Sequence, residues 1–241
     1  MFGYHQSSNR SKSEGEKPFW ISYADLMTAL MTLFLVVMVA SLVSVTKRIA
    51  LETQDEKNRK KDIETICSVL KINAQKINRN IVVDCRDNRV NFGEAGRFDK
   101  DGYKLRPDGV KALSEVVPII LDAANSDIGN KWFKQVLIEG FTDTDGSYLY
   151  NLHLSLLRSE WVMCTLLDDR KNVGLSLPQK KDVNTLFLAG GVSFNNAKES
   201  KDESRRVELK LQFYGLKEKW DTKKIVQPIF NITKPEMCQL T

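Results

Sequence analysis

Two textures alternate along the chain. Residues 19–45, FWISYADLMTALMTLFLVVMVASLVSV, form an almost unbroken apolar run of 27 residues. As a helix rising 1.5 Å per residue the run is about 40 Å long, more than the roughly 30 Å of bilayer hydrocarbon, so it predicts one membrane-spanning helix over 19–46. No other segment approaches the ~18 apolar residues that a second crossing needs. The pattern therefore predicts a bitopic chain with a short tail, 1–18, before the span and most of its length after it. The run exceeds the h-region of about 7 to 15 residues in a cleavable signal peptide, and it lacks a small-residue cleavage pattern, which makes it an uncleaved anchor.

Beyond the span, residues 47–80 are charged and helix-friendly. Ile63, Ile66, Val69, Leu70 and Ile77 make a partial helical stripe there, and the segment reads as a linker helix. From Ile81 the periodicity shortens. Strands are predicted over 81–84 and 89–92 around a polar CRDN turn. Pro107 and Asp108 then open an amphipathic helix carrying Val110, Leu113, Val116, Val117, Ile120 and Leu121, with Pro118 as a local irregularity. A strand over 135–140, a helix over about 147–167 and a strand over 186–190 follow. After a polar stretch to Ser204 comes a last strand, 205–213, with Val207, Leu209, Leu211 and Phe213 facing inward. The fold class is α+β: a single transmembrane helix, a linker helix, then a two-layer α/β sandwich over 81–214 with its own core, and a tail over 215–241.

The overall composition, 42% hydrophobic, averages these textures and conceals the span. The net charge of +5 owes something to runs such as KNRKK at 57–61, able to touch anionic headgroups but more often just a solvated face. Aromatic residues are not interleaved with the basic ones, so no direct nucleic-acid partner is expected. The two histidines, His5 in the tail and His153 on the 147–167 helix, form no cluster for zinc or acid–base chemistry. GEAG and AGG lack the strand and helix context of phosphate-binding loops. No enzyme activity, metal or cofactor is expected.

Charge alone points the C-terminal side to the cytoplasm, since Arg10, Lys12 and Lys17 precede the span while Lys47, Arg48, Lys57, Arg59, Lys60 and Lys61 follow it. Long domains, however, are translocated largely regardless of charge. The four cysteines, Cys67, Cys85, Cys164 and Cys238, all follow the span. An oxidising compartment permits one or two bridges among three possible pairings; unpaired buried cysteines are the alternative.

Asp25 is the candidate for chemistry within the span. A carboxylate in hydrocarbon costs about 2.5 to 3.5 kcal/mol and is by default a functional site. Residues 26–46 are uncharged and long enough to cross unaided, so composition leaves Asp25 either submerged or interfacial. Ser22, Thr28 and Thr32 lie at i−3, i+3 and i+7 and share its helical face, with Tyr23 beside it. Such a polar stripe faces partner helices or water rather than lipid.

The segment IEGFTDTDGSYLYNLHLSLLRSEWV resembles the OmpA-like peptidoglycan-binding domain, whose pattern is a strand, T-D-x-x-G, then N-x-x-L-S-x-x-R on the next helix. Here these are Thr142, Asp143, Gly146, Asn151, Leu154, Ser155 and Arg158. Phe98, Leu105, Pro107, Gly109 and Leu113 upstream, and Arg205, Arg206 and Val207 downstream, extend the likeness over most of 90–213. Phe141 stands where that family commonly has His, and Ser204 where it has Asn. The resemblance implies that Asp143 pairs with the ammonium of diaminopimelate in the wall peptide, that Arg158 holds a carboxylate, and that Arg205 or Arg206 lines the pocket. Taken as residues alone, Asp143 reads as a turn or cap residue and Arg158 as an ion-pair partner. A domain binding peptidoglycan faces the periplasm, which implies an inner-membrane protein with a cytoplasmic N-terminus.

The span resembles the transmembrane signature of MotB-type stator subunits, which join one span with an essential aspartate to an OmpA-like domain. Within them the chain is similar to the B subunits of Zorya anti-phage defence systems, through PFWISYADLMTA, LFLVVMVASL, IVVDC, FGEAGRF and LFLAGGVSFNNAKESK. The resemblance implies a homodimer inside a ring of polytopic A subunits, five A to two B, anchored to peptidoglycan. Asp25 would carry the translocated H+ or Na+, with Ser22, Tyr23, Thr28 and Thr32 along the path, and cytosolic effectors would act downstream. A flagellar stator subunit and a passive wall anchor of the OmpA or Pal kind are the alternatives. A carrier must both charge and neutralise: low dielectric favours the neutral form and an approaching ion or water the charged one. Asparagine keeps the shape and loses that switch.

Overall fold

A computed structural model of the chain describes residues 17–170, 174–218 and 236–240. The predicted tail up to residue 16, with His5, and most of the stretch after 218 lie outside these. The chain divides into two compact units, Met1–Asp55 and Glu56–Thr241.

Helix α1, Lys17–Ile77, runs for 61 residues. No glycine or proline interrupts it after Pro18, so the expected linker helix continues the same helical run instead of starting anew. In the first unit, residues 22–55 are exposed throughout. By length and composition α1 is able to cross a membrane once.

In the second unit α1 contributes Ile66, Cys67, Leu70 and Ala74 to the core. Strands β1 (Val82–Asp84) and β2 (Arg89–Asn91) form a hairpin. A 3-10 turn, Gly93–Gly96, precedes α2 (Pro107–Asn125), which has Pro at its start and runs through Pro118. Helix α3 (Asp127–Trp132), N-capped by the Ser126 hydroxyl, leads into β3 (Phe133–Gly140). Then come α4 (Tyr148–Leu167), α5 (Leu177–Leu186), β4 (Phe187–Gly191), the short α6 (Lys201–Ser204) and β5 (Val207–Phe213). The sheet order is β1-β2-β5-β3-β4, antiparallel except for the β3–β4 pair.

Register explains the two faces of the sheet. Val90 lies opposite Leu209, which lies opposite Ile138, while Val136 lies opposite Leu211. These residues join Leu113, Val116, Val117 and Ile120 of α2 and Val162 and Leu166 of α4 in one buried cluster. Each such side chain contributes about 1.5 to 3 kcal/mol relative to exposure. Phe213, expected inward, is half-buried and meets Phe133 edge to face at 5.4 Å. The opposite face carries charge. Glu139 and Glu208 are directly opposed across β3 and β5, an arrangement that is destabilising when unrelieved. Arg89 donates to both carboxylates, and Arg206 Nε donates to Glu208 at 2.7 Å.

The cysteines are all paired. Cys67–Cys85 ties α1 to the β1–β2 turn, and Cys164–Cys238 ties residues 236–240 to α4. With sequence separations of 18 and 74, chain entropy assigns the two bridges about 3 and 4.5 kcal/mol respectively.

Candidate functional site

In the first unit Asp25, Ser22, Tyr23, Thr28 and Thr32 are exposed on α1. The threonine hydroxyls are not aimed outward. Thr28 Oγ1 donates to the Asp25 carbonyl and Thr32 Oγ1 to the Ala29 carbonyl, both at 2.9 Å, the back-bonding usual for threonine in a helix. The Asp25 carboxylate has no hydrogen-bond or ion-pair partner among the described residues. It stands on the apolar stretch of α1.

In the second unit the loop 141–147 connects β3 to α4. Gly146 sits at φ +88, and a Cβ there would lie 3.2 Å from the Tyr150 ring, so the turn requires glycine. Ser147 caps α4 by accepting from the Tyr150 N–H. Asn151 Nδ2 donates to the carbonyls of Asp145 and Ser147 at 2.6 and 3.2 Å, pinning the loop to the first turn of the helix. Ser155 Oγ donates to Leu152 and accepts from the Ser193 N–H, joining α4 to the segment after β4. A Cβ on Gly140 would fall 2.1 Å from the Ser155 carbonyl, so helix and sheet meet backbone to backbone here. Asn151 and Ser155, predicted as site residues, thus shape the loop. Thr142 is buried with its N–H on the Ser193 carbonyl, and its Oγ1 has no partner.

Asp143 lies at the centre, 6% exposed. Its Oδ1 accepts the Asp145 N–H at 3.1 Å, the turn role its residue type suggests, and its Oδ2 accepts from Arg205 at 3.0 Å. Arg205 continues to Asp202 at 3.0 Å, and Asp202 to Arg97 at 2.7 Å. Asp145 accepts from Lys201, and that bond holds its carboxyl below the usual range. Tyr150 donates its hydroxyl to Asp101, which raises the phenol. Arg158 is fully buried. It donates to the carbonyls of Gly102, Phe141 and Asp99 at 2.9, 2.6 and 3.3 Å, with its guanidinium over the Phe98 ring. Burial lowers its pKa to about 10, while the Asp143 charge opposes that shift.

Of the paired arginines only Arg205 meets Asp143. Arg206 turns to the other face, against Glu208 and over the Phe141 ring at 4.1 Å. Arg205 closes α6 while Arg206 bridges to Arg97 on the way into β5, and the two neighbours point apart. Sequence reasoning missed Lys201, Asp202, Asp145 and Tyr150. For Lys201 and Asp202 the signal is the dense alternation of charges at 198–206; Asp145 and Tyr150 lie within the quoted TDTDGSYLYN segment, outside its motif positions. Among the described residues no three His, Cys, Asp or Glu side chains gather in a metal-ligating group.

Residues 5–54 match the family described as membrane MotB of the proton-channel complex MotA/MotB. Among solved structures, the OmpA-like domain of FopA1 from Francisella tularensis is 21% identical, covering 56% of this chain and 82% of that one at a TM-score of 0.37. A putative MotB-like protein from Desulfovibrio vulgaris is 18% identical, covering 68% and 99% at 0.40. The Zorya protein ZorB of Escherichia coli O139:H28 (strain E24377A / ETEC) is 61% identical over 245 residues, spanning all of this chain and 98% of that one. Identity at that level along both full lengths makes this chain a member of the ZorB family of MotB-like Zorya proteins.

Proposed function

We propose that the protein is the peptidoglycan-anchored B subunit of an ion-driven inner-membrane motor in Zorya anti-phage defence, with Asp25 carrying the translocated ion. The observation that carries this reading is the Asp25 carboxylate, without a partner among the described residues, on the polar stripe of the apolar run 19–45. A carboxylate so placed needs partners from other chains. A homodimer inside a ring of five polytopic A subunits supplies them. H+ or Na+ visiting Asp25 alternates its charge, each visit changes its attraction to the surrounding helices, and the A ring turns against a fixed B dimer.

The fixed point is the domain. With the N-terminus cytoplasmic, residues 56–240 lie in the periplasm, where both disulfides are stable. Asp143 receives the ammonium of the wall peptide and the neighbouring cations its carboxylate. Peptidoglycan is bound and not cut. Rotation reaches cytosolic effectors through the A ring.

The test is Asp25→Asn, assayed for phage protection alongside complex assembly and retention on isolated sacculi. Loss of protection with assembly and retention intact is expected. Protection at the level of the unmodified protein would overturn the ion-driven reading and leave a passive anchor. Normal swimming in a strain lacking the protein separates it from a flagellar stator.

A further inference from the structure

The chain enters the second unit on helix α1, and Cys67–Cys85 ties that helix covalently to the edge of the sheet. Ahead of the bridge the helix is held by separate contacts. Arg59 Nε donates to the Tyr214 carbonyl at 2.7 Å, and the Asp62 carboxylate accepts from Trp132 Nε1 at 2.8 Å and from Lys131 Nζ at 3.2 Å. Ile66 is the first buried apolar side chain of α1. A pull on α1 from its N-terminal side peels the helix and loads these contacts one at a time.

At Cys67 the pull meets a covalent bond. It then passes through sulfur to Cys85 in the β1–β2 turn and bypasses residues 68–84, which bring Leu70, Ala74, Ile81 and Val83 to the core. Beyond Cys85 lies β2, paired to β5 and through β5 to β3. Strand β3 ends at Gly140, and the loop that carries Asp143 follows it directly. The bridge therefore joins the incoming helix to the strands that lead to this loop. Cys164–Cys238 lies off that route, since it ties the residues at 236–240 to α4, after the loop.

We infer that Cys67–Cys85 carries the mechanical load of the protein: it keeps α1 docked when the first unit is pulled against an anchored domain. The inference rests on the motor reading above, which supplies the load. It separates strength from stability. A bridge across 74 residues constrains the unfolded chain more than one across 18, yet the shorter one stands in the path of force.

The experiment stretches single full-length molecules in detergent between azide handles at Lys57 and Thr144, both exposed. Cys67→Ala/Cys85→Ala is compared with Cys164→Ala/Cys238→Ala and with the unmodified protein. The second variant holds to the same force as the unmodified protein. The first gives way at a lower force and releases residues 68–84, about 60 Å of chain at 3.3–3.6 Å per residue. Thermal melting ranks the two variants the other way, with the larger fall for Cys164→Ala/Cys238→Ala. In cells, Cys67→Ala/Cys85→Ala stays on isolated sacculi and loses phage protection. Reduction of the unmodified protein after folding opens both bridges without a folding step, and gives the same weakening and the same release. The inference is overturned if the reduced protein or the first variant holds to the unmodified force, if the second variant weakens as much as the first, or if the first variant still protects. Asp25→Asn tells the two readings apart. Protection by that variant means that the motor reading has failed; its loss there, with protection kept by Cys67→Ala/Cys85→Ala, means that the inference about the bridge alone has failed.

Discussion

Arg158 is buried and Asp25 is exposed on the apolar stretch of α1, and the chain treats these two ionisable side chains in opposite ways. The arginine gives its N–H groups to three carbonyls of its own domain. The aspartate, on a helix whose residues 22–55 are exposed, meets no partner among the described residues. Even the hydroxyls beside it bond back to their own helix. A buried polar group such as Arg158 has to be paired. The domain pairs Arg158 within itself, whereas the partners proposed for Asp25 belong to other subunits. Structure and function therefore separate along the chain: damage to the domain appears first as lost stability or anchoring, damage to the helix as lost activity in a protein that is still folded.

The largest expected effect breaks the comparison at its functional end. Asp25→Asn is expected to remove phage protection altogether while the melting transition of the C-terminal domain stays where it was. A shift in that transition would show that the two units are not separable. Next in size is Asp143→Ala, which should lower retention on sacculi by about tenfold or more, the range for removing one member of a desolvated charge pair. Asp143 is bonded to Arg205 and to the Asp145 N–H, so the loop loosens as well, yet ion conduction by an assembled complex should persist.

Two leucines sharpen the same contrast. Leu113 is fully buried in the α2 face of the core, and Leu113→Ala is expected to cost about 2 to 5 kcal/mol of unfolding free energy. Leu30 is 55% exposed on α1. Leu30→Ala should leave the domain's unfolding unchanged in urea titrations, and show its cost only as weaker co-purification with partner subunits. A destabilised domain in the second variant would contradict the division.

The same division governed how much could be learned from residues alone. The strands and the helices α2 and α4 follow from period-2 and period-3.6 patterns, because each buries one face against its own domain, as in Val136, Ile138, Leu209 and Leu211. The span was legible from length. What escaped is set by pairing across distance. Glu139 and Glu208 look like surface residues in sequence; opposed across two strands, they need Arg89 between them. Helix α3, of six residues, and α6, of four, are too short to show a period. Arg205 and Arg206 are indistinguishable in sequence, and the junction between α6 and β5 sends them to different partners. Arg158 matched a motif, but its three carbonyl partners come from segments 17, 56 and 59 residues away, which no local pattern encodes.

The smallest expected effect tests whether the domain satisfies its polar groups as far as its final turn. Asp168 ends α4, accepts from the Arg170 side chain and N–H, and also receives the Cys238 N–H at 3.1 Å. The bonds from Arg170, with that from Cys238, hold its carboxyl well below the ordinary carboxylate range. A group whose folded pKa is depressed stabilises the fold fully above its unfolded value, about 3.9, and loses that contribution as pH falls through the folded one. Melting temperatures of the unmodified protein and of Asp168→Asn should therefore differ by a constant amount from pH 7 to pH 5. The gap should narrow below about pH 4 and close only at still lower pH. A gap that widened on acidification would mean that Asp168 is protonated in the fold, and that the tail is held by Cys164–Cys238 and Leu240 without it.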